Sequence, residues 1–489
     1  MTTPLLCATV TGRTMAVLRA ARDEASLADM VEVRLDGVSD LDVAGALADR
    51  RKPVLATCRP TWEGGRFTGS EEERRTILGR ALELGAEYVD VEWRAGFGDL
   101  VRRDPRRVVL STHDFDGVPP GLEERARAMR AEGAGTIKLA VATARLCDTL
   151  VLASIARDGD AVVVGMGEAG VPTRLLAGRY GSRWTYAGDG VAPGQIPARR
   201  MIEELGFRRV GAATRIFGVV STKALHSLSP AMHNAAFAAA GIDAVYVPLA
   251  TTAFADFLRF ADALGIEGAS VTIPFKRDAL RAAAGSVDSL TVRVGAANTL
   301  RRRDGRWEAT NTDVEGFLAP LAPLLGRRMT GVRSAVLGAG GAARAVVCGL
   351  VERGAAVSVH ARRREQAAEL AAAFGVAAGE WPPAAGSWDL LINCTPLGGA
   401  TARGESPLPG GPFTGRLVYD LTYGPGSSAL VTEARAAGCG VLDGLPMLLA
   451  QAERQFAWWT GRPVPGGVME AVVQHGAAGE PVTAARQGS

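Results

Sequence analysis

The sequence predicts an α/β protein: an N-terminal (β/α)8 TIM barrel, followed by a two-domain α/β unit that contains a Rossmann dinucleotide-binding domain. Three observations carry that prediction. Roughly the first 210 residues alternate short apolar runs with amphipathic helical stretches. Further on, a strand-like run enters Gly338-x-Gly340-x-x-Ala343 and continues into a helical stretch. At 489 residues the chain is too long for one core, and about 150 residues per domain gives about three.

Composition narrows the class. Hydrophobic residues at 47% against 22% charged exclude a disordered chain. No apolar run approaches the ~18–20 residues of a membrane helix. A formal charge of +3 gives no reason to expect nucleic acid. The six cysteines lie far apart without a Cys-x-x-Cys, so neither a zinc site nor a disulfide framework is expected. Met1-Thr2-Thr3-Pro4 shows no basic segment ahead of a hydrophobic one, as a secretory signal would. The expectation is a cytoplasmic protein with no metal, nucleic-acid or membrane partner.

Of 55 basic residues only Lys52, Lys138, Lys223 and Lys276 are lysines. Where arginine is so favoured, a lysine that remains can mark a place a guanidinium cannot fill, and its context decides whether it does. Arginine stays protonated, whereas a buried amine can become a nucleophile. Lys52 reads as a solvated helix end. His233, His360 and His475 read as structural or exposed.

The barrel elements follow in order. Eight strand-like runs are Leu5–Val10, Met30–Leu35, Val54–Cys58, Tyr88–Trp93, Val108–Thr112, Thr136–Val141, Ala161–Met166 and Trp184–Ala187. Between them lie stretches such as Glu71–Leu84 and Leu122–Ala131 with helical spacing. The C-terminal strand ends of such a barrel form its working face. There the sequence sets Glu32 and Arg34, Arg59 and Glu63, His113 and Asp114, Lys138, and Met166. A lone lysine near cations in an apolar barrel is expected to lose its proton readily and attack a carbonyl. A neighbouring histidine can move protons, and arginines can hold a carboxylate.

Glu32-Val33-Arg34-Leu35-Asp36, Thr57-Cys58-Arg59-Pro60, Glu63-Gly64-Gly65, Ser111-Thr112-His113-Asp114-Phe115, Ile137-Lys138-Leu139-Ala140, Met166-Gly167, Thr173-Arg174 and Ala192-Pro193-Gly194-Gln195 occur in that order. Together they resemble the type I 3-dehydroquinate dehydratase family over most of residues 5–197. The resemblance implies that Lys138 forms an imine with the substrate ketone, His113 is the general acid/base and Glu63 orients it. It assigns Glu32, Arg34, Arg59, Arg174 and Gln195 to substrate binding. Val191 departs from the family's serine.

Residues 206–214 lose apolar periodicity and read as a linker or the barrel's end, so the first domain spans 1–210. A new strand, Arg215–Val220, opens the second half. In the glycine-rich turn, Gly338 permits the tight bend, Gly340 admits a pyrophosphate and Ala343 allows close helix packing. The next strand ends in Arg362-Arg363-Arg364, where an acidic residue would select NAD. Arginines suit a 2′-phosphate, so NADP(H) is the expected cofactor. Substrate selection then falls to the preceding region. It holds His226-Ser227-Leu228-Ser229-Pro230, Ser270-Val271-Thr272-Ile273-Pro274-Phe275-Lys276, Gly295-Ala296-Ala297-Asn298-Thr299 and Asn311-Thr312-Asp313. Ser227 and Ser229 suit a polyol or a helix cap. Lys276 with Asp313 can pass a proton to an oxygen as hydride reaches carbon, or form a surface salt bridge.

These strings resemble the shikimate dehydrogenase family over about residues 215–475. The resemblance implies a catalytic Lys276–Asp313 pair, with Ser227, Ser229, Thr272, Asn298, Tyr423 and Gln451 binding substrate. It places Gly338, Gly340, Gly341, Ala342, Arg362, Arg363, Leu421 and Gly444 at the cofactor. It also implies a substrate-binding domain over 214–320, completed by helices at about 446–475, and an NADP-binding domain over 321–445. Ser221, Lys223, Ser270 and Gly399 depart from the pattern. The two resemblances join: 3-dehydroquinate is dehydrated to 3-dehydroshikimate, which NADPH reduces to shikimate. Alternatives are a non-catalytic metabolite sensor and a second half acting mainly on quinate.

Overall fold

The computed structural model describes residues 4–188, 190, 194–399, 402–424 and 426–478, with side chains through Gln474. Val191 and the side chain of His475 lie outside them. The chain divides into two compact units. One is Met1–Ile216 with Thr222–Ser227 and Asp243–Gly265; the other is Phe217–Ser221, Leu228–Ile242 and Ile266–Ser489.

All eight expected runs are strands: β1 (Leu5–Val10), β2 (Met30–Arg34), β3 (Val54–Thr57), β4 (Tyr88–Glu92), β5 (Val108–Asp114), β6 (Thr136–Ala142), β7 (Ala161–Met166) and β8 (Trp184–Ala187). They pair in parallel in the order β7-β6-β5-β4-β3-β2-β1-β8. Arg183 N donates to Ala161 O at 3.0 Å where β7 and β8 meet. Helices cover the outside, so the strands are buried on both faces and read as continuous apolar runs. Glu71–Glu83 shows why the chain turns helical there. Ser70 accepts from Glu73 N while the Glu73 side chain accepts from Ser70 N, satisfying two end donors reciprocally.

The barrel interior holds Cys7, Met30, Leu55, Val109, Ala140, Val162, Trp184 and Tyr186. Side chains alternate along a strand, so Asp90 and Glu92 share one face, as do Ser111 and His113. Register sets Ser111 beside both Glu92 and Lys138. The stretch after the last barrel helix belongs to the barrel's end. Phe207 is buried, and Arg208 pairs with Asp29 at 2.6 Å.

Lys52 is not a solvated helix end. Its ammonium donates to the carbonyls of Ala25 at 2.9 Å, Ser26 at 2.6 Å and Ala28, fastening the loop after helix Met15–Glu24. Burial draws its pKa down.

The second half has two sheets. Strands β9 (Arg215–Ser221), β10 (Ala244–Ala250), β11 (Ile266–Val271), β12 (Thr299–Arg303) and β13 (Arg306–Thr310) run in the order β10-β9-β11-β12-β13. Strands β14 (Arg333–Leu337), β15 (Ala356–His360), β16 (Ala377–Ala378), β17 (Leu390–Asn393), β18 (Leu417–Asp420) and β19 (Gly440–Leu442) form a parallel sheet in the order β16-β15-β14-β17-β18-β19. That order reverses at β14, where doubly wound sheets open a crevice at the C-terminal strand ends. The long helix Leu445–Thr460 then returns to the first of these sheets. Ser270 donates to Gln455 at 2.7 Å, and Trp459 Nε1 to Leu300 O at 2.9 Å. Ser270 thus holds this helix.

His233 is fully buried against Phe237 and Trp459, and burial lowers its pKa to about 3. The ring of His360 is bonded through Nδ1 to Glu380 O at 2.6 Å and through Nε2 to Ser358 at 2.9 Å. Both hold structure.

Candidate active sites

Lys138 sits on β6 with its side chain 6% exposed. Its Nζ is 2.9 Å from Asp90 and 3.7 Å from Glu32, and lies over the Tyr186 ring, 4.5 Å from the centroid. Thr9 and Thr57 each donate to Glu32 at 2.8 Å. Asp90, fully buried on β4, also accepts two bonds from Arg59 at 3.0 Å and one from Ser111 at 2.5 Å. Burial pushes the Asp90 carboxyl up, but Arg59 and Lys138 prevail and hold it well below the usual carboxylate range. Glu92 accepts from Arg59 at 2.7 Å and from Arg74, and its pKa is raised by burial.

His113 ends the same strand as Ser111. Burial, then Arg59 and Lys138, hold its pKa well below the ordinary value, so the imidazole is neutral at pH 7. Glu63 follows a tight turn after β3 and accepts from His113 N at 2.7 Å, with its Oε1 3.2 Å from Nδ1. Burial pushes the Glu63 carboxyl up to about 7. Arg34 makes a two-pronged pair with Asp36 at 2.8 Å. Gln195 lies against Gly188, just past β8. Arg174 is buried on helix Val171–Leu175, its Nη1 donating to Gly165 O, and burial draws it down to about 10. An anionic substrate group beside it would offset that desolvation.

In the second half Lys276 opens helix Lys276–Ala282, and its Nζ is 2.5 Å from Asp313 Oδ2. Both residues are buried, which excludes the surface-bridge reading. Asn298 Nδ2 donates to Asp313 Oδ1 at 2.8 Å and to Thr312 at 2.9 Å, with Gln451 Oε1 3.4 Å away. Asn311 accepts from Asp313 N at 3.0 Å and donates to Ala296 O at 2.8 Å. Thr272 N donates to Val220 O at 3.1 Å. Ser229 opens helix Ser229–Ala239, and Ser227 follows the turn Ala224–His226.

Beyond β14, Gly338 has φ +104°, a conformation L side chains avoid. Helix Gly341–Glu352 then starts at Gly340 with no side chain capping it, and the space where a Gly340 Cβ would point is open. Its first-turn amides are therefore free to receive a diphosphate. At the tip of β15, Arg362 and Arg363 are exposed, while Arg364 pairs with Glu380 at 2.6 Å. Leu421 bonds to Asn393 O at 3.1 Å and Gly444 to Thr422 O at 3.2 Å, both past the C-terminal ends of the same sheet. These residues fit a phosphorylated dinucleotide.

The type I 3-dehydroquinase family matches residues 6–212. The shikimate dehydrogenase substrate binding domain matches 219–300, and the shikimate 5'-dehydrogenase C-terminal domain 444–474. The chloroplastic bifunctional 3-dehydroquinate dehydratase/shikimate dehydrogenase of Arabidopsis thaliana is 31% identical, over 94% of this chain and 83% of its own length. The chain belongs to the bifunctional 3-dehydroquinate dehydratase/shikimate dehydrogenase family. Shikimate dehydrogenase (NADP(+)) of Moorella thermoacetica is 40% identical over 54% of this chain and 95% of its own. A crystal structure of shikimate dehydrogenase in complex with NADP+ superposes with TM-score 0.50 at 31% identity, covering 54% of this chain and 96% of that one.

Two features of this bifunctional chain differ from the sequence reading. The groups touching the Lys138 amine are carboxylates and an aromatic face, not cations. Arg59 is wrapped by Asp90, Glu92 and Ser111, so it organises the charges under the lysine. Asp90, Glu92, Ser111 and Tyr186 are additions to the sequence reading; two carboxylates spaced by two in the apolar run Tyr88–Trp93 are the signal for the first pair. Among the described residues no helix is long and apolar enough to cross a membrane, and no cluster of His, Cys, Asp and Glu could hold a metal ion.

Proposed function

We propose that the barrel dehydrates 3-dehydroquinate to 3-dehydroshikimate through a Lys138 imine, and that the second half reduces this product to shikimate with NADPH. The observation that carries the proposal is buried Lys138 on β6, with half-buried His113 on the neighbouring β5 set against buried Glu63, in a chain that also buries Lys276 against Asp313.

In the barrel, the lysine gives up a proton and its Nζ adds to the ketone carbon. Loss of water leaves a protonated imine. The positive nitrogen acidifies the neighbouring C–H bond. His113, neutral and turned by Glu63 on Nδ1, takes that proton through Nε2. The hydroxyl on the next carbon leaves as water with a proton returned by His113. A further water releases the product and regenerates Lys138. Asp90 and Glu32 stabilise the positively charged nitrogen throughout. Glu32, Arg34, Arg59, Arg174 and Gln195 hold the substrate's hydroxyls and carboxylate.

In the second half, NADPH supplies hydride to the carbonyl carbon when bound. Gly338, Gly340, Gly341, Ala342, Leu421 and Gly444 receive its diphosphate and nicotinamide ends, and Arg362 and Arg363 its 2′-phosphate. Lys276 donates a proton to the carbonyl oxygen, and Asp313 steadies the ammonium before transfer. Ser227, Ser229, Thr272, Asn298, Tyr423 and Gln451 bind the ring hydroxyls and carboxylate.

Lys138→Arg keeps the charge without an accessible amine lone pair. Dehydration is expected to fall by orders of magnitude while shikimate oxidation continues. Borohydride with 3-dehydroquinate should add the ligand's mass to Lys138 of the wild type. An active Lys138→Arg dehydratase, or no adduct, would exclude the imine.

A further inference from the structure

We infer that Arg344 is a positioning residue for the second reaction, tying the turn that receives the cofactor to the loop that binds substrate. This rests on reading the second half as an NADP-dependent shikimate dehydrogenase.

Arg344 lies in the first turn of helix Gly341–Glu352, four residues past Gly340. Its Nε donates to Val294 O at 2.7 Å, at the end of helix Ser289–Val294. The next residue, Gly295, has φ +67°, and a Cβ built there would stand 2.7 Å from Arg344 Nη2 and 3.3 Å from Cζ. The guanidinium is thus pressed against a backbone that has no room for a side chain. Its carbon also sits 5.5 Å from the centroid of the Phe374 ring. No carboxylate among the described residues makes a direct ion pair with it, and Glu369 attracts it only from farther off, so its main role is shape and directional donation.

Gly295 leads directly into the substrate loop. Ala296 O accepts from Asn311, Ala297 N donates to Lys276 O at 2.8 Å, and Asn298 donates to Asp313. The same helical turn touches the catalytic lysine separately. A Cβ on Gly341 would lie 3.0 Å from Lys276 Cδ and 3.1 Å from its Cβ. One turn therefore meets the cofactor's phosphates on its amide end, the Lys276 stem at Gly341 and the Asn298 loop through Arg344. A ligand that fixes this turn also fixes the substrate loop, so the two ligands should bind cooperatively, and reciprocally.

Shikimate with NADPH cannot react, because both are the reduced species, so coupling can be read by calorimetry without turnover. In the wild type, saturating NADPH should tighten shikimate binding by about fivefold or more. In Arg344→Ala that gain should drop below about twofold, while NADPH binding alone stays within about twofold of wild type. The Michaelis constant for shikimate should rise with little loss of kcat. Dehydratase activity should match the wild type, and the melting temperature should fall by no more than a few degrees, as for one lost hydrogen bond. Arg344→Lys keeps the charge but not the planar Nε donor, and should also lose coupling. Undiminished coupling in Arg344→Ala, full coupling in Arg344→Lys, or no coupling in the wild type would overturn the inference. A wild type that binds both ligands but never interconverts shikimate and 3-dehydroshikimate would instead overturn the functional reading, and the binding data would still decide Arg344.

Discussion

Glu63→Gln asks which group governs the dehydratase at low pH. Two candidates touch each other, Glu63 and His113. Burial, Arg59 and Lys138 hold the histidine well below its ordinary value, so it stays neutral across the working range. Burial raises the glutamate to about 7. As pH falls through that value Glu63 becomes a neutral acid, stops accepting from Nδ1–H and favours the tautomer with a proton on Nε2. The base is then lost without the histidine ever charging. With a midpoint at about 7, kcat/KM at pH 6 should be roughly a tenth of its plateau, and at pH 5 roughly a hundredth. Glutamine can still accept from the backbone and ring N–H groups, but it has no proton to gain. The variant should have a lower plateau and no acid limb at about 7. Stability runs in the opposite direction. The Glu63 pKa is raised on folding, so its contribution is full below the unfolded value and is lost as pH rises through about 7. Relative to the wild type, the variant should therefore melt higher at pH 8 than at pH 5. The assay is kcat/KM for 3-dehydroquinate between pH 5 and 9, followed by enone absorbance. An unchanged acid limb in Glu63→Gln would show that another group owns it.

Asp90→Asn removes a buried partner from both Lys138 and Arg59, and should cost about 3–5 kcal/mol by urea unfolding of the barrel. A cost under about 1 kcal/mol, as for an exposed pair, would show the cluster is not tightly coupled. Lys276→Ala should cut kcat for shikimate oxidation far more than it changes NADP affinity measured by calorimetry; the reverse pattern would misplace Lys276. Arg362→Ala should raise the Michaelis constant for NADP about tenfold and leave that for NAD nearly unchanged. High salt should narrow the wild-type preference, and equal use of both cofactors by the wild type would refute the arginine assignment.

What could be read from the chain followed how local the signal was. Eight apolar runs became eight strands because a strand buried on both faces needs nothing but apolar residues. Lys138 and His113 stood out as single polar interruptions of such runs. Asp90 and Glu92 did not, because a carboxylate near a strand end usually faces water. Only closure of the barrel brings β4 beside Arg59 and Lys138. The seat of Arg59 was hidden for the same reason, since its three acidic and hydroxyl partners arrive from β4 and β5. Lys52 misled because the carbonyls it binds lie 24–27 residues upstream. The contact between Arg344 and Val294 spans 50 residues and leaves no pattern in either segment. Ser270 was legible only as a departure; Gln455, which accepts its hydroxyl, comes 185 residues later.

One chain carries both chemistries in succession. Purified protein given 3-dehydroquinate and NADPH should oxidise NADPH and accumulate shikimate. Lys138→Ala should do neither with 3-dehydroquinate, yet consume NADPH at the wild-type rate when given 3-dehydroshikimate. Wild type that leaves NADPH untouched with 3-dehydroquinate, or Lys138→Ala that still forms shikimate from it, would contradict sequential catalysis through Lys138.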